Sequence, residues 1–127
     1  LELIPTTVEI MRGYSDDPDY KVVVVTNQAG IAKGLYTEAD MCRLHRYMED
    51  ELERLGVHVD AWYFCPHHPD YTGPCDCRKP APGMLLAAMH DFGAKPSDCV
   101  MYGDMPTDRL AAKSAGIEFT LAKDGDR

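Results

Sequence analysis

The chain has 127 residues, of which 45% are hydrophobic, and this is enough for one domain with its own core. Its formal net charge of −8 argues against a protein that binds the nucleic-acid backbone through clustered cations. No apolar run approaches the roughly 20 residues that a transmembrane helix needs. We expect a cytoplasmic monomer with no nucleic-acid or membrane partner. A small phosphorylated metabolite stays open as a ligand, since a few local cations and a metal can hold it.

Apolar patterning predicts helices and strands that alternate along the chain. The predicted helices cover residues 5–12, 37–55, 82–92 and 107–115, and the predicted strands cover 21–26, 57–64, 99–102 and 118–121. Thr37 with Asp40 predicts a capping box at the start of the second helix. Gly93 and Gly116 are predicted C-caps, and His45 is expected at a helix surface. The predicted apolar face of the second helix consists of Met41, Leu44, Met48, Leu52 and Leu55. Strands separated by helices of this length predict an α/β protein with a parallel sheet.

Three cysteines and a histidine lie within 13 residues and make the most specific feature of the sequence: Cys65, His67, Cys75 and Cys77. Sulfur and imidazole ligands suit a tetrahedral Zn²⁺, and a full set of four predicts a closed structural site in the loop 65–77. His68 is an alternative ligand to His67. Five cysteines without a small, evenly paired framework argue against a secreted disulfide scaffold, so we expect Cys42 and Cys99 to be free buried thiols.

Polar residues follow three predicted strands at the point where each strand ends. Thr26 ends the first strand, the cysteine loop follows the second, and Asp104 follows the third, with Asp108 four residues later. Ligands of parallel sheets bind beyond the carboxyl ends of the strands. An Asp in that place suits Mg²⁺, although it is also a favoured helix N-cap.

Taken in order, these motifs resemble the zinc-loop branch of the haloacid dehalogenase (HAD) superfamily of phosphotransferases. The matching stretches are residues 23–31, 65–67, 75–80 and 102–104 together with Asp108, and residues 82–86 add to the match. The resemblance covers nearly the whole chain. It implies a three-layer, doubly wound parallel sheet, in a single HAD-like domain over residues 1–127.

The resemblance also implies a function and its residues. Thr26 and Lys79 would be catalytic, binding and neutralising the transferring phosphoryl group, and Asp104 would be a Mg²⁺ ligand supported by Asp108. The residues expected to bind substrate phosphate are Thr26, Asn27, Gln28, Arg78 and Lys79. The expected reaction removes the 7-phosphate of D-glycero-D-manno-heptose 1,7-bisphosphate through an aspartyl-phosphate intermediate, with histidinol phosphate as the alternative substrate.

The nucleophile of that chemistry, an Asp-X-Asp-Gly motif after a first strand, is not found in the 127 residues. Asp17-Pro-Asp19 precedes a strand and Asp124-Gly-Asp126 follows the last one, so neither fits the topology. We expect a central first strand on about 25 to 30 residues upstream, by family resemblance, and the 127 residues alone to be inactive. A silent, zinc-stabilised phosphate-binding protein and a thiol redox sensor are alternatives of other classes.

Overall fold

A computed structural model describes residues 5–122 of the chain. Within them lie six helices and four strands, in the chain order α1 Pro5–Ser15, β1 Val23–Asn27, α2 Ala29–Ala32, α3 Glu38–Arg54, β2 Ala61–Cys65, α4 Pro69–Thr72, α5 Gly83–Phe92, β3 Val100–Gly103, α6 Pro106–Ala115 and β4 Glu118–Leu121. A 3₁₀ turn precedes β3. The predicted alternation of helices and strands is confirmed, and the two four-residue helices lie in predicted loops.

The four strands form two parallel pairs. β3 pairs with β4 in parallel, and β1 pairs with β2. β1 and β2 also run in the same direction, because backbone hydrogen bonds join Val22 to Asp60 at one end and Gln28 to Cys65 at the other. Among residues 5–122, no strand pairs with both β1 and β3. Parallel strands joined by helices make the architecture α/β, as predicted.

The chain divides into two compact units, and each has its own core. The described part of the first unit comprises residues 5–24 and 37–62. Its buried residues are Val8, Val22, Leu52, Val57 and Val59, with Met11, Tyr14, Val24 and Trp62 packed against them. β-Branched residues from the strand and the loop before β2 therefore cover the inner face of α3.

Helix α3 begins at the predicted capping box. The Thr37 hydroxyl accepts the Asp40 N–H, and the Asp40 carboxylate accepts the Thr37 N–H. The pKa of Asp40 lies below its usual value. The hydrogen bond from the Thr37 backbone is the largest cause, and the Thr37 side chain adds to it. The predicted apolar face is only partly buried, because Leu44 and Leu55 are exposed. Cys42 on the same helix is also exposed, so the prediction of a buried thiol there is wrong.

His45 of α3 is buried, so the predicted surface position is wrong. Its ring stacks on Trp62 with 4.5 Å between ring centroids, and the indole Nε1 donates to Glu49. Burial lowers the pKa of His45. The spacing of His45 from Met41 and Leu52 already places it on the apolar face of the helix.

The second unit comprises residues 25–36 and 63–122. Its core contains Leu85, Met89, Met101, Ala111, Ala112, Ala115 and Ile117, with Val25, Ala94, Cys99 and Phe119 packed against it. The alanines of α6 allow that helix to lie close to its neighbours. Gly93 and Gly116 end α5 and α6 with φ of 63° and 75°, which confirms both predicted C-caps. Partial burial raises the pKa of the Cys99 thiol.

In the described part of the chain, no helix has both the length and the apolar character that crossing a membrane requires.

Replacing His45 by Phe should remove a loss of stability at low pH. Since burial holds the pKa of His45 below 6.5, the unfolded chain binds a proton that the native chain does not bind. The free energy of unfolding of the wild type should therefore fall, relative to the variant, as pH drops from about 7.5 to about 5.5. Urea unfolding followed by circular dichroism at several pH values measures this difference.

His58→Gln provides a control of opposite sign. A hydrogen bond with Glu53 raises the pKa of His58, so its stabilising effect is present at low pH and disappears as pH rises through that pKa. Parallel stability curves for the wild type and His45→Phe would contradict the role given to His45.

Candidate functional site

Lys79 and Asp108 form a buried ion pair in the second unit. Lys79 Nζ lies 2.6 Å from Asp108 Oδ1, and the two side chains are 14% and 8% exposed. Among residues 5–122, Asp108 Oδ1 has no further hydrogen-bond partner, so the ammonium group compensates its charge. The other carboxylate oxygen accepts the Met105 N–H at the start of α6. Asp108 is therefore held from two sides, by a helix terminus and by a cation.

Gly103 at the end of β3 gives Asp108 the space it occupies. A Cβ at this glycine would lie 2.7 Å from Asp108 Oδ2, closer than real Cβ atoms approach their neighbours. Any side chain there would displace the carboxylate and with it the partner of Lys79. Asp104 follows directly and is exposed, so its carboxylate is accessible to a metal ion.

The carboxyl end of β1 is connected to Lys79 by its side chains and its backbone. Lys79 Nζ donates to the Val25 carbonyl at 3.4 Å. Asn27 Nδ2 donates to the Lys79 carbonyl at 3.3 Å, and the Lys79 N–H donates to Asn27 Oδ1 at 3.0 Å. The structure thus brings two predicted site residues together across 52 positions of sequence.

Thr26 and Gln28 belong to a second set of contacts at the same strand end. Gln28 Nε2 donates to Thr26 Oγ1 at 3.3 Å, and the Tyr36 hydroxyl donates to Gln28 Oε1. The Tyr36 ring lies so close to Gly30 that a Cβ there would be 2.2 Å from it. The sequence did not indicate that Tyr36 bonds to Gln28, or that Gly30 must lack a side chain to make room for the Tyr36 ring. No local pattern marks a tyrosine six residues after a glycine.

Arg78 carries a buried donor, and such a donor indicates a site for an anion. Its Nη1 is buried and has no hydrogen-bond partner among the described residues. A buried guanidinium donor that lacks an acceptor is costly, and protein sites of this kind bind carboxylate or phosphate oxygens. The neighbouring Lys79 carries the second cation of the site.

The four predicted zinc ligands cluster in the structure. One ligand atom from each of Cys65, His67, Cys75 and Cys77 lies within 4.8 Å of the others. Cys75 Sγ is 3.6 Å from the Cys65 and Cys77 sulfurs, and His67 Nδ1 is 3.5 Å and 3.2 Å from the same two. The structure joins Cys65 to Cys77 as a disulfide. In reduced form the four residues offer the thiolate and imidazole ligands that suit a tetrahedral Zn²⁺.

His68, the alternative ligand, has a different role. Its Nδ1 accepts the Asp70 N–H and so caps the short helix α4, while its ring contacts Tyr71 edge-on. This nitrogen is already engaged by the main chain. The structure therefore favours His67 over His68 within the cysteine cluster.

The cysteine loop packs directly on the start of α5. The Gly83 N–H donates to the Asp76 carbonyl at 2.8 Å, and a Cβ at Gly83 would lie 2.2 Å from that oxygen. The peptide between Lys79 and Pro80 is cis. The contact of Gly83 with Asp76 therefore joins the two ends of the segment that carries Arg78 and Lys79.

Comparisons with known proteins agree on one family. The HAD-hydrolase-like family profile matches residues 76–127. The D-glycero-beta-D-manno-heptose-1,7-bisphosphate 7-phosphatase of Pasteurella multocida is 44% identical over 106 residues, covering 80% of this chain and 58% of that protein. The D-glycero-alpha-D-manno-heptose-1,7-bisphosphate 7-phosphatase of Burkholderia mallei is 42% identical over 107 residues, covering 80% and 57%.

A solved structure gives the same result for the fold. The D,D-heptose 1,7-bisphosphate phosphatase from B. bronchiseptica, complexed with magnesium and phosphate, superposes with a TM-score of 0.84 at 34% identity, covering 93% of this chain and 64% of that one. These comparisons confirm the predicted resemblance to the HAD-like hydrolases, and the predicted α/β fold class is confirmed. The chain spans less than two thirds of the length of these relatives.

Asp108→Asn should lower the free energy of unfolding by about 3–5 kcal/mol, because it leaves the Lys79 ammonium buried without a counter-charge. The double variant Asp108→Asn with Lys79→Met should lose less, since no unpaired charge remains. Urea unfolding of these two variants and of the single variant Lys79→Met measures both effects. Lys95→Met, at an exposed lysine, is the control and should change stability by less than about 0.5 kcal/mol. Additive losses in the double variant would contradict the ion pair.

Proposed function

We propose that the full-length protein is a Mg²⁺-dependent phosphomonoester hydrolase that removes the 7-phosphate of D-glycero-D-manno-heptose 1,7-bisphosphate. The observation that carries the proposal is the buried Lys79, held by Asp108 and by the carboxyl end of β1. It lies in a chain that is 44% identical to a relative of that name. The substrate would be a small phosphorylated metabolite, bound by a cytoplasmic monomer with one domain over residues 1–127.

Lys79, Thr26 and Arg78 would bind the phosphoryl group. The Lys79 ammonium has three donors, of which one faces Asp108 and one faces the Val25 carbonyl, so the third can bind a phosphate oxygen. Thr26 adds a hydroxyl, and Arg78 adds the buried Nη1 that has no acceptor among the described residues. Fixed cations in a partly buried site stabilise the charge that develops on a transferring phosphoryl group.

Asp104 and Asp108 would hold the magnesium ion. Asp104 is exposed at the end of β3 and offers hard oxygen ligands, with Asp108 one helical turn later. Magnesium, when bound, would neutralise phosphoryl oxygens. By family resemblance, the nucleophile would be an aspartate outside these 127 residues, forming an aspartyl-phosphate. The B. bronchiseptica relative was solved with magnesium and phosphate, which supports the proposal of a magnesium ion.

Zinc would be structural and bound by the four clustered residues Cys65, His67, Cys75 and Cys77. Their donor atoms lie close enough to share one ion once the cysteines are reduced. A full set of four protein ligands leaves no open position for substrate, which favours a structural site. The metal would fix the loop 65–77 and so the start of the stretch that carries Arg78 and Lys79.

The test of the proposed function is phosphate release by the full-length gene product. With Mg²⁺, the kcat/KM for the heptose bisphosphate should exceed that for histidinol phosphate by about 100-fold or more. Both anomers of the heptose substrate are assayed, because relatives of either name match the chain. Preference for histidinol phosphate would overturn the substrate. Phosphate binding without hydrolysis of either substrate would favour the catalytically silent alternative.

Asp104→Asn should lower Mg²⁺-dependent turnover of the full-length protein by about 100- to 1000-fold, since it removes a charged ligand of the ion. Steady-state kinetics over a Mg²⁺ titration measure this loss. Asp91→Asn, at an exposed aspartate that accepts from Tyr63, is the matched control and should retain activity. Unchanged turnover in Asp104→Asn would contradict its role as a ligand.

Cys75→Ser should lose zinc. Protein purified with a reductant should contain about one zinc per chain in the wild type and well below that in the variant, because a hydroxyl is a poor substitute for a thiolate. Elemental analysis by mass spectrometry gives the ratio. Cys42→Ser changes an exposed cysteine outside the cluster and should keep its zinc. Equal zinc in both variants would refute the ligand assignment.

A further inference from the structure

We infer that Asn27 acts on phosphate through Lys79, as a positioning residue that holds the Lys79 main chain. The inference deepens the proposed function and rests on it. The family resemblance implies that Asn27 is a direct substrate contact. The contacts of its side chain assign it a different role.

Both ends of the Asn27 amide are engaged by one residue. Oδ1 accepts the Lys79 N–H at 3.0 Å, and Nδ2 donates to the Lys79 carbonyl at 3.3 Å. This is the pattern by which one strand residue pairs with another, here made by a side chain. A rotated amide would oppose donor to donor and acceptor to acceptor, so the two bonds also fix the orientation of the amide.

The two hydrogen bonds between the Asn27 side chain and the Lys79 main chain limit where the Lys79 ammonium can lie. A lysine side chain has four rotatable carbons and loses much entropy when ordered. With its backbone held by Asn27, the Lys79 side chain extends to the Val25 carbonyl and to Asp108. Both Val25 and Asn27 belong to β1, so this strand holds the backbone and the tip of the same lysine.

Charge explains why Lys79, and not Asn27, would determine the affinity for phosphate. The Asn27 side chain is neutral, whereas Lys79 carries a full charge in a partly buried site, where interaction with an anion is strong. Removing the Asn27 side chain removes two neutral hydrogen bonds and frees the Lys79 backbone. We expect about 10-fold weaker phosphate binding from that loss.

A double-mutant cycle between Asn27→Ala and Lys79→Met separates the two roles. The probe is inorganic phosphate with Mg²⁺, titrated into the full-length protein and followed by ³¹P NMR, which reaches millimolar dissociation constants. Asn27→Ala should weaken binding about 10-fold when Lys79 is present and less than about 2-fold in the Lys79→Met background. Equal losses in both backgrounds would mean that Asn27 contacts phosphate itself, and would overturn the inference.

Two further measurements keep the test decisive. If Asn27→Ala does not fold, Asn27→Asp replaces it in the cycle, since it keeps the acceptor for the Lys79 N–H and loses the donor to the carbonyl. If Lys79→Met binds no phosphate, the ¹³Cε and ¹⁵Nζ resonances of Lys79 decide. Asn27→Ala must change their shifts and their response to phosphate, or the inference fails. Lys95→Met is the matched lysine control and should bind phosphate as the wild type does.

Hydrolysis of the heptose bisphosphate by the wild type separates this inference from the proposed function. Hydrolysis together with equal losses in the cycle would overturn the role of Asn27 alone. Coupling in the cycle without hydrolysis would leave that role standing and overturn the proposed reaction. Absence of phosphate binding by the wild type would overturn both.

Discussion

The buried ion pair between Lys79 and Asp108 is the interaction on which the candidate site depends. A lysine this far from water would lose its charge or its place without a compensating carboxylate. The pair also explains features that look unrelated in the sequence. Gly103 must lack a side chain so that Asp108 fits, and Asp108 must lie in the first turn of α6 so that its second oxygen can accept the Met105 N–H.

Local signals explain how much of the fold the sequence predicts. The capping box at Thr37 and the C-caps at Gly93 and Gly116 depend on residues a few positions apart, and the structure has all three. The predicted surface position of His45 is wrong, because its spacing from Met41 and Leu52 places it on the buried face of the helix. The clustering of the four zinc-ligand candidates followed from residue type and spacing within one short loop.

The contacts of Asn27 could not be predicted from the sequence, for a physical reason. Its partner lies 52 residues away, and an amide at a strand end can face a ligand or another part of the chain with equal chemistry. Only the fold decides which. The same limit applies to the Tyr36 hydroxyl on Gln28, which depends on how the loop after β1 turns back on itself.

Two restraints from distant parts of the chain meet at Lys79. β1 holds its backbone through Asn27, and the cysteine loop ends at Cys77, two residues before it. Packing of Gly83 on Asp76 fixes the segment from its other side. A lysine held on a loop alone would sample many positions, and an anion would have to order it on binding at a cost in entropy. In the proposed function, restraint of the Lys79 backbone from both sides would remove much of that cost before an anion binds.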